Sequence, residues 1–124
     1  PFIFCNTHLD HKGQTARLLG SVQLIQYLSL KPYKFVLTGD FNAKPETPEI
    51  NIITNVKGYP VIDATENLGG TFHGFSKTRE KTKIDYIFTN LPCDPSESFV
   101  IPDDGDADGV FISDHNPVCA LVEV

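Results

Sequence analysis

The sequence predicts a mixed α/β domain of the layered α+β type, in which strands pack against helices. Two apolar, strand-like segments at residues 2–5 and 34–38 flank a segment with helical periodicity at residues 14–30. Further strand-like segments follow at residues 84–89 and 118–124, with no long helical pattern between them. Strands that first alternate with a helix and then continue in series are typical of a layered domain with one core.

The predicted first helix is indicated by one apolar face. Leu18, Val22, Ile25 and Leu28 recur at helical spacing, and Pro32 ends the pattern. The strand at residues 34–38 ends at a glycine, and a second, short helix is predicted to begin at Thr47-Pro48-Glu49 and to end before residue 58. Thr suits the cap, Pro the first helical position and Glu the first turn. Residues 69–83 and 102–109 are predicted to be loops.

Composition and charge limit the class of protein. The 124 residues are 40% hydrophobic and 21% charged, as in ordinary globular domains. The net charge of −6 argues against a broad basic face for long nucleic acids, because such binding relies on Lys and Arg at phosphates. A bound divalent cation could supply local positive charge instead. No apolar run approaches the roughly 18 residues of a membrane-spanning helix, so no membrane span is predicted.

Three cysteines, Cys5, Cys93 and Cys119, show no C-x-x-C spacing, so we expect buried free thiols rather than disulfides or a zinc site. Free thiols favour a reducing compartment such as the cytoplasm. The chain begins at Pro1 within a predicted strand and contains no Met. We therefore expect residues 1–124 to be part of a longer protein, and the sequence predicts neither a targeting signal nor a localisation.

Polar residues with catalytic potential collect near the ends of the predicted strands, where α/β folds build their sites. Carboxylates, an amide and imidazoles are the ligand types that suit Mg²⁺ or Mn²⁺ rather than a thiolate-bound metal. The candidate residues are His8, Asp40, Asn42, Asp85, Asp114 and His115.

Asp40 and Asn42 lie two residues apart, so in an extended chain their side chains would point the same way. The alternative is a simple turn, because Asp and Asn both favour turns. Asp85 interrupts an apolar strand, where a carboxylate needs a partner. A histidine that it orients is the natural partner.

The histidines also have structural alternatives. Asp114 and His115 could form an ordinary surface loop, and His8 could be structural. His11 and His73 are predicted to be loop residues that could contact substrate. Arg17, at the start of the first helix, could form a salt bridge or contact phosphate, but a solvated side chain is the favoured interpretation. The acidic segment 104–109 matches half of a calcium loop, but position twelve is His115 rather than Glu, so no EF-hand is predicted.

Four motifs occur together in one order: Asn6-Thr7-His8-Leu9, Gly39-Asp40-Phe41-Asn42, Ile84-Asp85-Tyr86-Ile87 and Ser113-Asp114-His115. In this combination the chain resembles the endonuclease/exonuclease/phosphatase superfamily, and the loop Thr71-Phe72-His73-Gly74-Phe75 is similar to one in bacterial members. The resemblance implies the DNase I-like fold, a four-layer α/β/β/α sandwich, of which residues 1–124 would be the C-terminal part.

The resemblance also implies roles for individual residues. Asp40 would act as the base or the orienting group for the attacking water and would bind the metal, Mg²⁺ or Mn²⁺, together with Asp114. Asn42 would hold the scissile phosphate or the metal-bound nucleophile, and His73 would contribute to substrate binding. The remaining residues would be catalytic. His115 would contact the phosphate in the transition state, Asp85 would hydrogen-bond His115 and set its tautomer, and His8 would lie near the leaving-group oxygen.

The sequence departs from the family pattern in two places. The Asn and the metal-binding Glu of the family's first half have no counterpart here, and Gly20-Ser21 replaces a Gln-containing stretch. We therefore expect residues 1–124 alone to be inactive. Strand faces at Phe35, Leu37, Ile87 and Val118 are expected to lack a partner layer, so the chain is expected to associate through them.

The function predicted from the sequence is metal-dependent hydrolysis of a phosphoester, with a phosphodiesterase or nuclease as the leading hypothesis and nucleic acid as a possible substrate. One alternative is a phosphatase or phospholipase-type enzyme that acts on a small or lipid phosphoester, which the negative net charge favours. A second alternative is a non-catalytic binding domain that retains the fold.

Overall fold

The computed structural model describes residues 1–124 and contains two sheets and two α-helices. A 3-10 turn at Pro95–Glu97 is the other helical segment. The strands and α-helices follow in the order β1 (Phe2–His8), α1 (Gln14–Ser29), β2 (Lys34–Asp40), α2 (Pro48–Thr54), β3 (Ile62–Asp63), β4 (Asp85–Thr89), β5 (Phe99–Val100) and β6 (Val118–Cys119).

The main sheet has four strands in the order β1-β2-β4-β3. β1 and β2 are parallel and are connected through α1, whereas β4 is antiparallel to both β2 and β3. β5 and β6 form a separate antiparallel pair. This topology places the ends of β1 and β2 beside the start of β4 at one edge of the sheet.

Both helices cover one face of the main sheet. Alternate side chains of β2 and β4 point to this face, and each buried aliphatic or aromatic side chain stabilises the fold by about 1.5–3 kcal/mol. The core contains ten buried residues: Ile25, Leu28, Phe35, Leu37, Phe41, Ala43, Ile50, Ile53, Tyr86 and Phe88.

The opposite face is covered only in part. Val36 and Ile87 pack there with Ala64 and Leu91, and the C-terminal segment adds partly buried side chains that include Val118. Phe4 of β1 is the register partner of Val36 but is 66% exposed. The C-terminal segment therefore shields the β4 side of this face and leaves β1 open.

The structure confirms the mixed α/β class and both predicted helices, and it corrects several details. Phe35 and Leu37 do not lack a partner layer, because they are fully buried under the helices. The first strand extends to His8, and the closing strand is only Val118–Cys119. The two-residue strands β3 and β5 were not predicted, since so short a run has no periodicity.

The three cysteines are free, as expected, but only half-buried. Neither helix is long and apolar enough to cross a lipid bilayer.

The acidic segment forms no EF-hand. Asp103 accepts hydrogen bonds from the backbone amides of Gly105 (3.0 Å) and Ile112 (2.8 Å), and Asp106 accepts from those of Asp108 (2.9 Å) and Val110 (2.8 Å). These carboxylates stabilise the loop's own turns.

Candidate active site

Three strand ends place His8, Asp40 and Asp85 side by side. The last residues of β1 and β2, His8 and Asp40, are register partners, and Asp40 is also the partner of Asp85 at the start of β4. Cross-strand partners project from the same face of a sheet. Because side chains alternate along β2, this is the face to which Val36 points, away from the helices.

Gly39 permits the close approach of β1 to the end of β2. Its φ is 153°, and a Cβ atom here would lie 1.9 Å from the carbonyl oxygen of Thr7. Any other residue would push the two strands apart and separate His8 from Asp40.

His115 reaches this edge through the loop that begins at residue 70. Phe72 forms an isolated bridge with His115, and its ring centroid lies 4.9 Å from that of the imidazole. The backbone amide of His73 donates to the carbonyl oxygen of Asp114 at 2.9 Å. These contacts tie the Asp114-His115 segment to the sheet edge.

Asp85 and His115 form the hydrogen bond that the motif pattern predicts, with His115 Nδ1 and Asp85 Oδ2 2.8 Å apart. The hydroxyl of Thr71 donates to the same Oδ2 at 2.5 Å and accepts from the amides of Ile84 and Asp85, both at 3.2 Å. The alternative acceptor for the hydroxyl proton, the carbonyl oxygen of Thr82, is 3.4 Å away, so the proton points to the much closer Asp85. An ionised Asp85 must then accept from Nδ1–H of His115 as well. Neutral His115 then keeps the lone pair on Nε2, which lies 3.7 Å from Asp40 Oδ2.

Thr71 is therefore a member of the site that sequence reasoning missed. It is fully buried in a segment predicted to be a loop, and it lies 14 positions before Asp85. Thr71 belongs to the loop motif of residues 71–75, but nothing in that motif or in the sequence spacing couples it to Asp85.

Asp40 lies at the centre of the cluster. Burial raises the pKa of this carboxyl, the amide hydrogen bond from Asn42 (2.8 Å) lowers it, and the nearby charge of Asp85 raises it again. The nearby His115 and His8 also lower the pKa of Asp40, but more weakly. His8 Nε2 lies 3.4 Å from Asp40 Oδ2, on a side chain that is 73% exposed.

Asn42 occupies a turn rather than a continuation of the strand. Its φ of 48° and the bond from its amide to Asp40 Oδ1 define a turn closed by the Asp side chain. The expectation that Asp40 and Asn42 point the same way in extended chain is therefore wrong. The Asn42 side chain donates from Nδ2 to the carbonyl oxygen of Leu9 at 2.8 Å, which links the turns after β1 and β2.

These side chains surround an open cavity of about 700 Å³. All six candidate residues that were expected from their positions near strand ends line this cavity, together with His11. The complete lining is His8, His11, Asp40, Asn42, Phe72, Ile84, Asp85, Asp114 and His115.

His73, by contrast, does not line the cavity. Its side chain is fully buried, its ring centroid lies 4.7 Å from that of Phe111, and neither ring nitrogen has a hydrogen-bond partner. The prediction of a substrate contact by His73 is corrected on this ground, because the loop folds the imidazole inward.

The donor set suits a divalent cation. Asp40, Asp85 and His115 each offer a ligand atom, and these atoms lie within 4.8 Å of one another. Asp114 lines the same cavity but lies outside this compact group. Carboxylate oxygens are the ligands that Mg²⁺ and Mn²⁺ prefer.

Comparison with solved structures gives the same fold. A functionally unknown conserved protein from Enterococcus faecalis V583 is 31% identical, with a TM-score of 0.74, over 99% of this chain and 50% of that chain. An endonuclease/exonuclease/phosphatase from Bacteroides vulgatus is 28% identical, with a TM-score of 0.74, over 98% of this chain and 51% of that chain. The mannosyl-6-phosphatase Bt3783 of Bacteroides thetaiotaomicron is 23% identical, with a TM-score of 0.70, over 99% and 51%.

The chain thus spans about half the length of the structures it matches. No curated protein matches it. The family model of the Endonuclease/Exonuclease/phosphatase family matches residues 4–115, which include all four motifs of the strand ends. The resemblance and the DNase I-like fold expected from the sequence are confirmed, and the chain belongs to the endonuclease/exonuclease/phosphatase family.

Proposed function

We propose that this chain carries catalytic residues of a metal-dependent phosphoester hydrolase. The observation that supports the proposal most strongly is the hydrogen-bonded group Thr71–Asp85–His115, which presents Nε2 of His115 to the same cavity as Asp40. Members of the family are generally hydrolases that act on phosphoesters. Phosphoryl transfer needs chiefly positioning and charge neutralisation, which such a site can provide.

Each side chain has a proposed task. Asp40 holds the attacking water and accepts its proton. His115, oriented by Asp85, donates from Nε2 to a phosphate oxygen when protonated. Asn42 positions the phosphate from the turn after β2, and exposed His8 lies near the leaving-group oxygen.

Asp40 and Asp114 would hold Mg²⁺ or Mn²⁺ at the cavity. The cation would neutralise charge on the phosphate and stabilise the leaving oxygen. A further oxygen ligand is expected from the part of the domain that this chain does not contain, since Mg²⁺ favours six oxygen ligands.

We also propose that residues 1–124 are the C-terminal half of the domain. The chain covers about half of each matched structure, and the open face at Phe4 offers a place for further layers. Hydrolysis is therefore proposed for the full-length protein rather than for this half alone.

A phosphodiester is the leading substrate, and a small phosphomonoester is the second candidate. The second is favoured by the cavity lining, which contains no Lys or Arg to follow a nucleic-acid backbone, and by the net charge of −6. The likeness to a mannosyl-6-phosphatase shows the fold alone.

The test compares bis(p-nitrophenyl) phosphate with p-nitrophenyl phosphate as substrates of the full-length protein, each with Mg²⁺ and with EDTA. We expect Mg²⁺-dependent release of nitrophenol, faster from the diester. Faster release from the monoester would favour the phosphatase, and undiminished turnover in EDTA would contradict metal dependence. No turnover of either ester would favour a binding domain.

A further inference from the structure

A buried ion pair joins the two helices next to the cavity. Arg17 Nε of α1 lies 3.1 Å from Glu49 Oε1 of α2, and the two side chains are only 14% and 2% exposed. The solvated side chain that the sequence favoured for Arg17 is therefore wrong, and the salt-bridge alternative is the one observed. The second carboxylate oxygen of Glu49, Oε2, has no hydrogen-bond partner, so Arg17 is the one charged partner of Glu49.

Arg17 also binds the turn that follows β1. Its Nη1 donates to the carbonyl oxygen of Asp10 at 3.1 Å. The Asp10 carboxylate accepts from the backbone amides of Lys12 and Gly13, both at 2.6 Å, and these hydrogen bonds lower the pKa of Asp10. The turn is thus closed by its own aspartate and held to α1 by the guanidinium.

The other end of the turn is bound to the site. The backbone amide of Leu9 donates to the carbonyl oxygen of Asp40 at 2.9 Å, and the carbonyl oxygen of Leu9 accepts from Asn42 Nδ2 at 2.8 Å. His11 therefore lies between two fixed residues, Leu9 and Gly13. Its exposed imidazole makes no hydrogen bond or ion pair within the chain, and it lines the cavity.

The ion pair is poorly explained by stability alone. Replacing a buried ion pair by apolar residues of similar volume is often neutral or stabilising, because both charges lose their hydration on folding. A guanidinium, however, can contact Glu49 through Nε and Asp10 through Nη1 at once, which fixes direction as well as distance.

We propose that His11 is a substrate-binding residue, and that Arg17 and Glu49 are positioning residues which hold the turn of residues 9–13 so that His11 contacts a non-bridging phosphate oxygen. The inference rests on the proposed phosphoester hydrolysis for its ligand. An imidazole N–H is a suitable donor for such an oxygen, and the lining offers it no competing Lys or Arg.

The first test uses His11→Ala in the full-length protein, with Lys12→Ala as the matched control. Lys12 is the exposed neighbour of His11 and does not line the cavity. With bis(p-nitrophenyl) phosphate and Mg²⁺, KM should rise about tenfold in His11→Ala, the scale of one lost charge-assisted hydrogen bond. The kcat of this variant should stay close to the wild-type value, and Lys12→Ala should match wild type in both constants. An unchanged KM in His11→Ala would overturn the substrate contact.

The second test separates positioning from stability. The double variant Arg17→Met/Glu49→Leu should unfold near the wild-type temperature, because the apolar pair fills the same space, and yet show the raised KM of His11→Ala. Arg17→Lys provides a milder change, in which the ammonium keeps the pair with Glu49 but loses the contact with Asp10. Wild-type KM in both variants would overturn the positioning role.

A binding measurement distinguishes failure of this inference from failure of the proposed function. Titration of the full-length protein with inorganic phosphate, followed by NMR, should shift the His11 imidazole resonance. The double variant should need about tenfold more phosphate for the same shift. A shift without any ester hydrolysis would contradict only the proposed function. Hydrolysis with an unshifted His11 would contradict only the inference.

Discussion

At the scale of single residues, the site depends on which atoms carry protons. Asp85 can orient His115 only if its own carboxylate is held. The Thr71 hydroxyl holds it at 2.5 Å, much closer than its alternative acceptor, the carbonyl oxygen of Thr82 at 3.4 Å. Such supporting hydrogen bonds fix the geometry of groups that meet the substrate. In the proposed mechanism, Thr71 would therefore act on the substrate through Asp85 and His115.

Replacing Thr71 tests this arrangement. Thr71→Val keeps the shape but removes the donor to Asp85, so we expect kcat in the full-length protein to fall by about tenfold or more, the scale of lost supporting contacts. Thr71→Ser keeps the hydroxyl and should restore most of the rate.

Thr89→Val is the matched control for Thr71→Val. Thr89 is equally buried, and its hydroxyl donates to the carbonyl oxygen of Phe35 at 2.6 Å, away from the cavity. Its loss should lower the unfolding temperature without lowering kcat. Equal effects of the two Val variants on kcat would show that Thr71 is only structural.

At the scale of elements, the site is assembled from short segments whose turns are closed by aspartates. Asp10 closes the turn after β1, Asp40 the turn after β2, and Asp103 the loop that leads to Asp114 and His115.

The motifs allowed the strand ends and the Asp85–His115 contact to be predicted from the sequence. The burial of His73 against Phe111 could not be predicted, because the two residues are far apart in sequence and meet only through tertiary packing.

The hydrogen bonds that Asp103 accepts make the stability of the fold dependent on pH. Hydrogen bonds from the amides of Gly105 and Ile112 lower the pKa of Asp103 below its usual value. The Asp103 carboxyl therefore binds a proton more readily in the unfolded chain than in the folded one. Its hydrogen bonds contribute to the stability of the fold at pH values above the unfolded pKa of about 3.9, and this contribution is lost as pH falls through the folded pKa. Asp103→Asn, with one acceptor oxygen instead of two, should lower the unfolding temperature at pH 7 but have little effect at pH values below the folded pKa. A pH-independent difference in thermal unfolding would contradict this account.

At the scale of the whole molecule, one face of the main sheet is half covered. β1 is an edge strand of the sheet, and Phe2 and Phe4 on its open face are 41% and 66% exposed beside buried Val36. Exposed apolar faces on edge strands favour association. The sequence predicted an uncovered face of the sheet. It did not show which residues of β2 face the helices and which face the half-covered side, because a strand that is buried on both faces lacks an alternating apolar pattern.

Residues 1–124 expressed alone should therefore associate and show little or no hydrolysis. Phe4→Glu should reduce the association, which light scattering measures, because the charge disfavours burial of this face. Leu30→Glu is the control, since Leu30 is 82% exposed at the end of α1, and α1 packs on the opposite, helix-covered face of the sheet. A monodisperse, active monomer of wild-type residues 1–124 would contradict the proposal that this chain is half of a domain.

The most direct measurement of the central claim is the kcat of the full-length protein with Asp40→Ala or His115→Ala, measured with Mg²⁺ on the better of the two nitrophenyl esters. Both side chains are proposed to act on the reacting phosphate or water, so each variant should lose about 10²-fold or more in kcat, the scale of general-base and electrostatic groups. Lys12→Ala should retain the wild-type rate. A near-normal kcat in either Asp40→Ala or His115→Ala, with the fold intact by circular dichroism, would contradict the account.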